Sequence, residues 1–315
     1  MYQEIDTSTP VVSESLTNTY ATPAPAPTAP SIASSAMLVE LSISQWTGRK
    51  KDKKASVDVT SQNYAAAGVA SVSKKLMGQW DKLDALHKMT GNIRNMHYAM
   101  TMPWSDTGLR LVPTAQYFKY HQQMTQMQSE WETLSDDCIR EYDWEISSAQ
   151  ASLGDLFHRD EYPTVSDLTN KFAFRLSYIP LPEAGDFRVD VGNEALEQVK
   201  SHYEEYYSRQ LNNAMNDVWQ RTHKALSAMS DRLDYAGAET KKVFRDSLVD
   251  NVVEMIDLLD VCNVTGDSQM SALKDKLDNA MRGITPSALR DDDYLRAETK
   301  RTVDEALAAL PSLDF

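Results

Sequence analysis

Residues 171–191, KFAFRLSYIPLPEAGDFRVDV, decide how this chain is read. Phe172, Phe174, Leu176 and Tyr178 alternate with Ala173, Arg175 and Ser177, the two-residue period of a strand with one face buried. Pro180, Pro182 and Gly185 interrupt the run, and Phe187, Val189 and Val191 resume it. The pattern predicts two antiparallel strands joined by a short Pro/Gly loop. A second β signal lies upstream in Met37–Ser44, where Val39, Leu41 and Ile43 face one way and Glu40 and Ser42 the other. Because a lone hairpin is marginal in water, this segment is expected to complete a three-stranded antiparallel sheet.

Long helical patterns flank the central stretch. From about Thr114 to Phe157 an apolar stripe runs through Tyr117, Tyr120, Met124, Met127, Trp131, Leu134, Cys138, Tyr142, Ile146, Ala149, Leu153 and Leu156. Its steps form a heptad seam with one four-residue stutter near Cys138. Such a helix is about 65 Å long at ~1.5 Å per residue. The second, about Glu194 to Asp234 with Asn193 as N-cap, carries Leu196, Val199, Tyr203, Tyr207, Leu211, Ala214, Val218, Thr222, Ala225, Met229 and Leu233. The fold class expected is therefore mainly α (α+β). It consists of a long antiparallel helical hairpin or coiled coil, a small three-stranded β head at its bend, and C-terminal helices. The C-terminal helices are read at Glu239–Cys262, Ser268–Arg282 with Asp267 as cap, and Asp291–Leu310. Between Ser56 and Gly78 the chain reads as weakly amphipathic helix, Asp81–Met100 is a better one, and Leu109–Val112 is extended.

The domain division that follows is 1–35, 36–235 and 236–315. Residues 1–35 are dominated by Thr, Ser, Pro and Ala, so they are expected to form a disordered or polyproline-II tail. Residues 36–235 hold the hairpin and head, and 236–315 a helical region. The chain of 315 residues carries a net charge of −14, which argues against broad backbone-driven nucleic-acid binding without excluding a local basic patch. The two cysteines fall inside helical patterns and read as buried free thiols of a reducing compartment. No apolar run reaches the ~18 residues of a membrane span, and the first residues lack a signal-peptide core.

The search for chemistry finds no phosphate-binding glycine loop, no nucleophile elbow and no metal-ligand spacing. No catalytic residue, metal ligand or cofactor is assigned. Asp155, His158, Asp160 and Glu161 in GDLFHRDEY are dense enough to hold a metal or share a proton, but Gly154 and Pro163 bracket them, and polar residues crowd helix ends. Cys138 with a distant His would make a nucleophile pair; its place on the apolar seam favours packing. Tyr203, Tyr206, Tyr207 and Trp219 have helical spacing and read as packing. The candidate site is the basic run Arg49, Lys50, Lys51, Lys53 and Lys54, with Trp46 beside it. Such a run can hold phosphates while an aromatic (Trp46 or Tyr64) stacks on a base. The competing reading is a solvated turn.

MLVELSISQWTGRKKDKK, MPWSDTGLRLVPTAQYF, LGDLFHRDEYP and KFAFRLSYIPLPEAGDFRV, in this order, resemble a family of bacteriophage proteins of unknown function. The resemblance covers roughly Met37–Val191 and weakens toward the C-terminus. It implies a phage product acting in the host cytoplasm or the virion. Relatives are often encoded near MoxR-like AAA+ ATPases and von Willebrand A-type proteins. The function expected is a non-enzymatic interaction or scaffold protein, with an AAA+ ATPase or a second copy as protein partner. The alternative is a nucleic-acid-binding accessory protein that uses 49–54, and an enzyme with a non-local site comes third.

Overall fold

The computed structural model describes residues 32–181, 193–234 and 246–311. One helical turn, α1 (Ile32–Ser35), leads into β1 (Ala36–Ser44). Then β2 (Arg49–Asp52), α2 (Lys53–Gln62) and β3 (Val72–Lys75) make an excursion before α3 (Asp81–Ala99). The short strands β4 (Met102–Pro103) and β5 (Arg110–Pro113) enter, through a 3-10 turn at Thr114–Gln116, the long α4 (Tyr117–Leu153). The five-residue α5 (Val165–Thr169) precedes β6 (Ala173–Pro180). The remainder is helical: α6 (Asn193–Leu233), α7 (Ser247–Cys262), α8 (Ser268–Met281), α9 (Pro286–Asp291) and α10 (Asp293–Ala308). The molecule is mainly α with a small antiparallel sheet. Among the described residues no helix is long and apolar enough to cross a membrane.

The main sheet has four strands in the order β4-β5-β1-β6. β6 pairs antiparallel with β1, Leu41 opposite Leu176 and Val39 opposite Tyr178, so the two strongest β patterns do find each other. Beyond this pair, the described sheet is extended on the other side of β1. The other neighbour of β1 is β5, with Leu38 opposite Leu111, and β4 adds to β5. Residues 187–191, expected to supply the third strand, lie outside the described residues. β5 occupies the stretch expected to be extended, Leu109–Val112, but shows no alternation over its four residues, and β4 is only two residues long. Leu111, Val112 and Pro113 are also all buried, so no polar face marks every second residue.

Alternation along β1 divides the interior in two. Ala36 and Leu38, with Met102 and Leu111, face a core built by α6 to α10. Met37, Val39, Leu41 and Ile43, with Val112 and the apolar face of β6, join a core built by α3 and α4. The sheet is thus a partition between two helical layers. The long helices take separate partners: α4 packs along α3, whereas α6 packs along α7 and α10. The antiparallel hairpin of α4 with α6 is therefore not how the stripes are used. An apolar stripe specifies that a face is buried, not what covers it. Leu83, Leu86, Thr90 and Ile93 of α3, with Phe174 of β6 and Phe172 just before it, supply the surface that α4 needs.

Local signals set the C-terminal helices as expected. The Asp267 carboxylate accepts from Gln269 N at 2.7 Å and Met270 N at 3.2 Å, capping α8. Asp292 does the same for α10, from Tyr294 N and Leu295 N at 2.9 Å. α7 is described from Ser247; the expected extension back to Glu239 falls outside the described residues, except for Asp246. At the other end, Ile32 packs on the core built by α6 to α10, and Ser34 O accepts from Thr114 Oγ1 at 3.2 Å. The last residues of the expected disordered tail are thus part of the fold, and residues 1–31 lie outside the description.

Candidate functional site

The basic run is split between two elements. Arg49, Lys50 and Lys51 form β2, and Lys53 and Lys54 open α2. The sequence reading took 56–78 as helix; instead the chain leaves α2 and returns as β3, because Val72-Ser73-Lys74-Lys75 pairs antiparallel with β2. Asp52 holds the start of α2 by accepting from Ala55 N at 2.9 Å. Ser56 then ties α2 to β3: its Oγ donates to Asp52 O at 2.5 Å and accepts from Val72 N at 2.9 Å. Every residue from Ser61 to Val69 is exposed, so the excursion stands off the body as an arm.

The register brings two lysines into the site that the run does not contain. Arg49 lies opposite Lys75 and Lys50 opposite Lys74. Like charges directly opposite in a sheet repel. On one face of the ribbon the repulsion is relieved. Glu161 receives Lys74 Nζ at 2.7 Å and Lys50 Nζ at 3.9 Å, and Lys74 also donates to Leu156 O at 2.8 Å. On the other face, Arg49, Lys51 and Lys75 are exposed and form no ion pair with a described residue. Arg49 and Lys75 border a small crevice with Asp84 and His87, lined also by Gly48, whose backbone at φ +61° would bring a Cβ against Leu83. Lys53 and Lys54 sit in the first turn of α2, where the helix dipole disfavours a cation.

Trp46 is not part of this surface. Only 8 % exposed, it packs edge-on against Tyr142 at 5.5 Å between ring centroids, and its carbonyl meets His87 Nε2 at 2.9 Å. It cannot stack on a base. The ring is turned into the core that α3 and α4 build. Tyr64, fully exposed at the arm's tip, is the aromatic left in reach of solvent. Exposed Val57, Val59 and Val69 accompany it on the arm.

The other candidates resolve into structure. Glu161 serves as the lysine counterion, while Asp155, His158 and Asp160 are exposed on the two 3-10 turns. Among the described residues no three His, Cys, Asp or Glu side chains converge to hold a metal ion. Cys138 and Cys262 are buried, and burial pushes both thiols up to about 12, which leaves almost no thiolate at neutral pH. Tyr207 packs edge-on against Trp104, 5.3 Å between centroids, where β4 meets α6.

A buried polar cluster that no motif announced fastens the two layers at Thr101. Arg110 donates through Nε to Thr101 Oγ1 at 2.6 Å and through Nη2 to Thr101 O at 2.8 Å. Arg221 of α6 reaches Thr101 O at 3.0 Å and Ala99 O at 3.2 Å, and pairs with Asp217 at 2.6 Å. It thereby caps the last carbonyls of α3 from the opposite layer. Burial lowers the Arg110 guanidinium and raises the Asp217 carboxyl from their ordinary ranges. His97 meets Tyr120 Oη at 2.7 Å; burial, with Arg110 nearby, lowers its imidazole to about 4. The geometry of the cluster, with two guanidinium groups converging on the Thr101 backbone and hydroxyl, is that of a tie. Comparison with protein-family models, with curated proteins and with solved structures finds no match for the chain.

Proposed function

We propose that this chain is a non-enzymatic interaction protein and that the β2–α2–β3 arm is the surface it offers its partner. One observation carries the reading. Arg49, Lys51 and Lys75 are held on one ribbon face without an ion pair to any described residue, although the chain has a net charge of −14 and Glu161 neutralises the opposite face. Folding alone gains nothing from that arrangement, which costs repulsion across the ribbon. The exposed valines and Tyr64 on the same arm favour an acidic protein surface that also buries apolar area. The phage resemblance makes an AAA+ ATPase assembly in the host cytoplasm, or a virion component, the partner to try first.

The second reading, nucleic acid, draws support from the same cations: Arg49, Lys51, Lys53, Lys54 and Lys75 would contact phosphates and Tyr64 would stack. The experiment separates the two. Arg49, Lys51 and Lys75 are replaced together by Gln in the full chain, and Val57, Tyr64 and Val69 together by Ser in another. Co-purification of a protein partner that both sets abolish supports the first reading. Binding of single-stranded DNA whose salt slope falls by roughly 0.7 per lost contact supports the second. If both variants keep every interaction of the parent, the arm is not the binding surface.

A further inference from the structure

Where the basic ribbon meets the start of α3, several polar groups converge on one small space. The crevice there is lined by Arg49 of β2, Lys75 of β3 and, from the beginning of α3, Trp80, Asp84 and His87. Arg49, Lys75 and Asp84 are all exposed, yet among the described residues no ion pair joins either cation to Asp84. Trp80 is only 5 % exposed, and its Nε1 is buried without a hydrogen-bond acceptor among the described residues. A buried indole N–H normally finds an acceptor, so one without a partner calls for an explanation. The same residue is the N-cap of α3, and no side chain caps that helix. Its first-turn N–H groups and the positive end of its dipole favour an anion. His87, by contrast, is engaged, with Nε2 against Trp46 O at 2.9 Å. The crevice measures about 30 Å³, room for about two water-sized groups at ~10–15 Å³ each.

We infer that this crevice seats one carboxylate of the partner, the Asp or Glu side chain of an acidic peptide segment. The inference rests on the reading of the arm as the partner surface and names what that surface recognises. Together Arg49, Lys75 and Asp84 leave one formal positive charge, which one carboxylate neutralises. Its two oxygens take the two water-sized places. They accept from the Arg49 guanidinium, whose fork matches a carboxylate, and from the Lys75 ammonium. A carboxylate has about four lone-pair sites, so acceptor capacity is left for the Trp80 N–H and the uncapped turn of α3. Asp84 decides between ligands. It repels a second anionic group and accepts an N–H, which a peptide backbone carries beside its acidic side chain and a phosphodiester backbone does not. A phosphodiester is also tetrahedral and flanked by sugars, too wide for the crevice, whereas a planar carboxylate arrives on a thin methylene stem.

The test uses the full chain and two probes, an end-blocked fluorescent hexaglutamate peptide and inorganic phosphate. Fluorescence anisotropy gives the peptide's affinity. The indole N–H resonance of Trp80 in tryptophan-labelled protein, identified by its loss in Trp80→Phe, reports the place. Hexaglutamate is expected to move that resonance saturably. Lys75→Gln, an exposed change that leaves the core intact, should weaken the peptide by about tenfold. Lys51→Gln, on the same ribbon face but outside the crevice, should weaken it by less than about threefold. A Trp80 resonance that stays still while the peptide binds, with Lys51→Gln as costly as Lys75→Gln, overturns the crevice as the seat and leaves the arm reading standing. Phosphate that moves the resonance at lower concentration than the peptide overturns the choice of carboxylate. No binding of hexaglutamate overturns the inference outright, and co-purification with the arm variants then judges the arm reading separately.

Discussion

α4 and α6 are similar in length and stripe, 37 and 41 residues, yet they are held by different physics. The buried side of α4 is aromatic and anchored by directed bonds. Trp131 Nε1 donates to Thr90 Oγ1 at 2.8 Å, Tyr142 Oη donates to Pro163 O at 3.0 Å, and Tyr120 Oη meets His97. The buried side of α6 is mostly aliphatic and small: Ala214, Val218, Leu226, Met229 and Leu233, with the Thr222 hydroxyl turned to its own backbone at Val218 O. The apolar seam of α4 is fixed by particular partners, whereas that of α6 is fixed by fit, with its directed bonds at Arg221 and Ser230 beside the seam. Substitutions that keep volume but remove a polar atom should therefore hurt α4 and spare α6.

The largest effect expected is at Trp131. Trp131→Ala should lower unfolding free energy by about 3–5 kcal/mol, because it opens a cavity against Phe172 and Phe174 and strips Thr90 of its donor. Tyr142→Phe, which removes only the hydroxyl, should still cost about 1–3 kcal/mol by orphaning the Pro163 carbonyl. Leu226→Met on α6 should cost under about 1.5 kcal/mol. Urea denaturation of the three variants decides the matter, and a costlier Leu226→Met than Tyr142→Phe breaks the contrast.

The anchors also make the α3–α4 layer sensitive to pH. His97 titrates at about 4 when folded, against about 6.5 in a free chain. Above pH 6.5 it is neutral in both states and contributes no pH dependence. As pH falls from 6.5 toward 4, the unfolded chain takes up a proton that the folded one refuses. Stability then drops by up to about 1.4 kcal/mol per pH unit, and the loss levels off below 4. His97→Gln should flatten this part of the stability profile relative to the parent; an unchanged slope would place the sensitivity elsewhere.

A smaller effect is expected at the tie between layers. Arg221→Leu removes the cap on α3 and leaves the half-buried Asp217 without its cation, a loss of roughly 2 kcal/mol. Adding Asp217→Leu should restore part of it, since the second change removes the stranded carboxylate. A double-mutant cycle with no coupling would mean that the pair is not what joins the layers.

What could be read from the sequence follows from which patterns are local. β1, β6, the long helices and the Asp267 cap were legible, because periodicity and capping are written within a few turns of chain. β5 was legible as the extended stretch Leu109–Val112, whereas β4 was not, since a strand of two residues shows no period. The basic run was visible as charge, but its working half was not. Lys75 joins Arg49 only through the register of β2 with β3, and Lys50 and Lys74 are withdrawn by a glutamate remote in sequence. Trp46 failed for a related reason: an aromatic beside lysines looks exposed until the helices that cover it are in place. The Thr101 tie is a product of two layers meeting, and no single segment encodes it.

The smallest effect expected is a null, and it bears most directly on the two long helices. A hairpin of α4 on α6 would set Cys138 near Ala214, so that Ala214→Cys in a Cys262→Ser background should form an intramolecular disulfide. The fold places these residues in different cores, with Cys138 among the side chains of α3 and α4 and Ala214 among those packed beneath Trp104 and Leu181. A disulfide requires Cα atoms about 4.4–6.8 Å apart, whereas stacked layers on either side of a sheet are separated by about 10 Å from the sheet on each side. Mild oxidation should therefore leave both thiols free, and the cysteines at Leu211 and Val218, one turn either way, should fail as well. Burial slows any thiol at Cys138, so a negative result needs a denatured control in which the same pair does oxidise. If the folded protein cross-links within one chain at any of the three positions, α4 and α6 share a seam. The division into an anchored layer and a fitted one would then be wrong at its root.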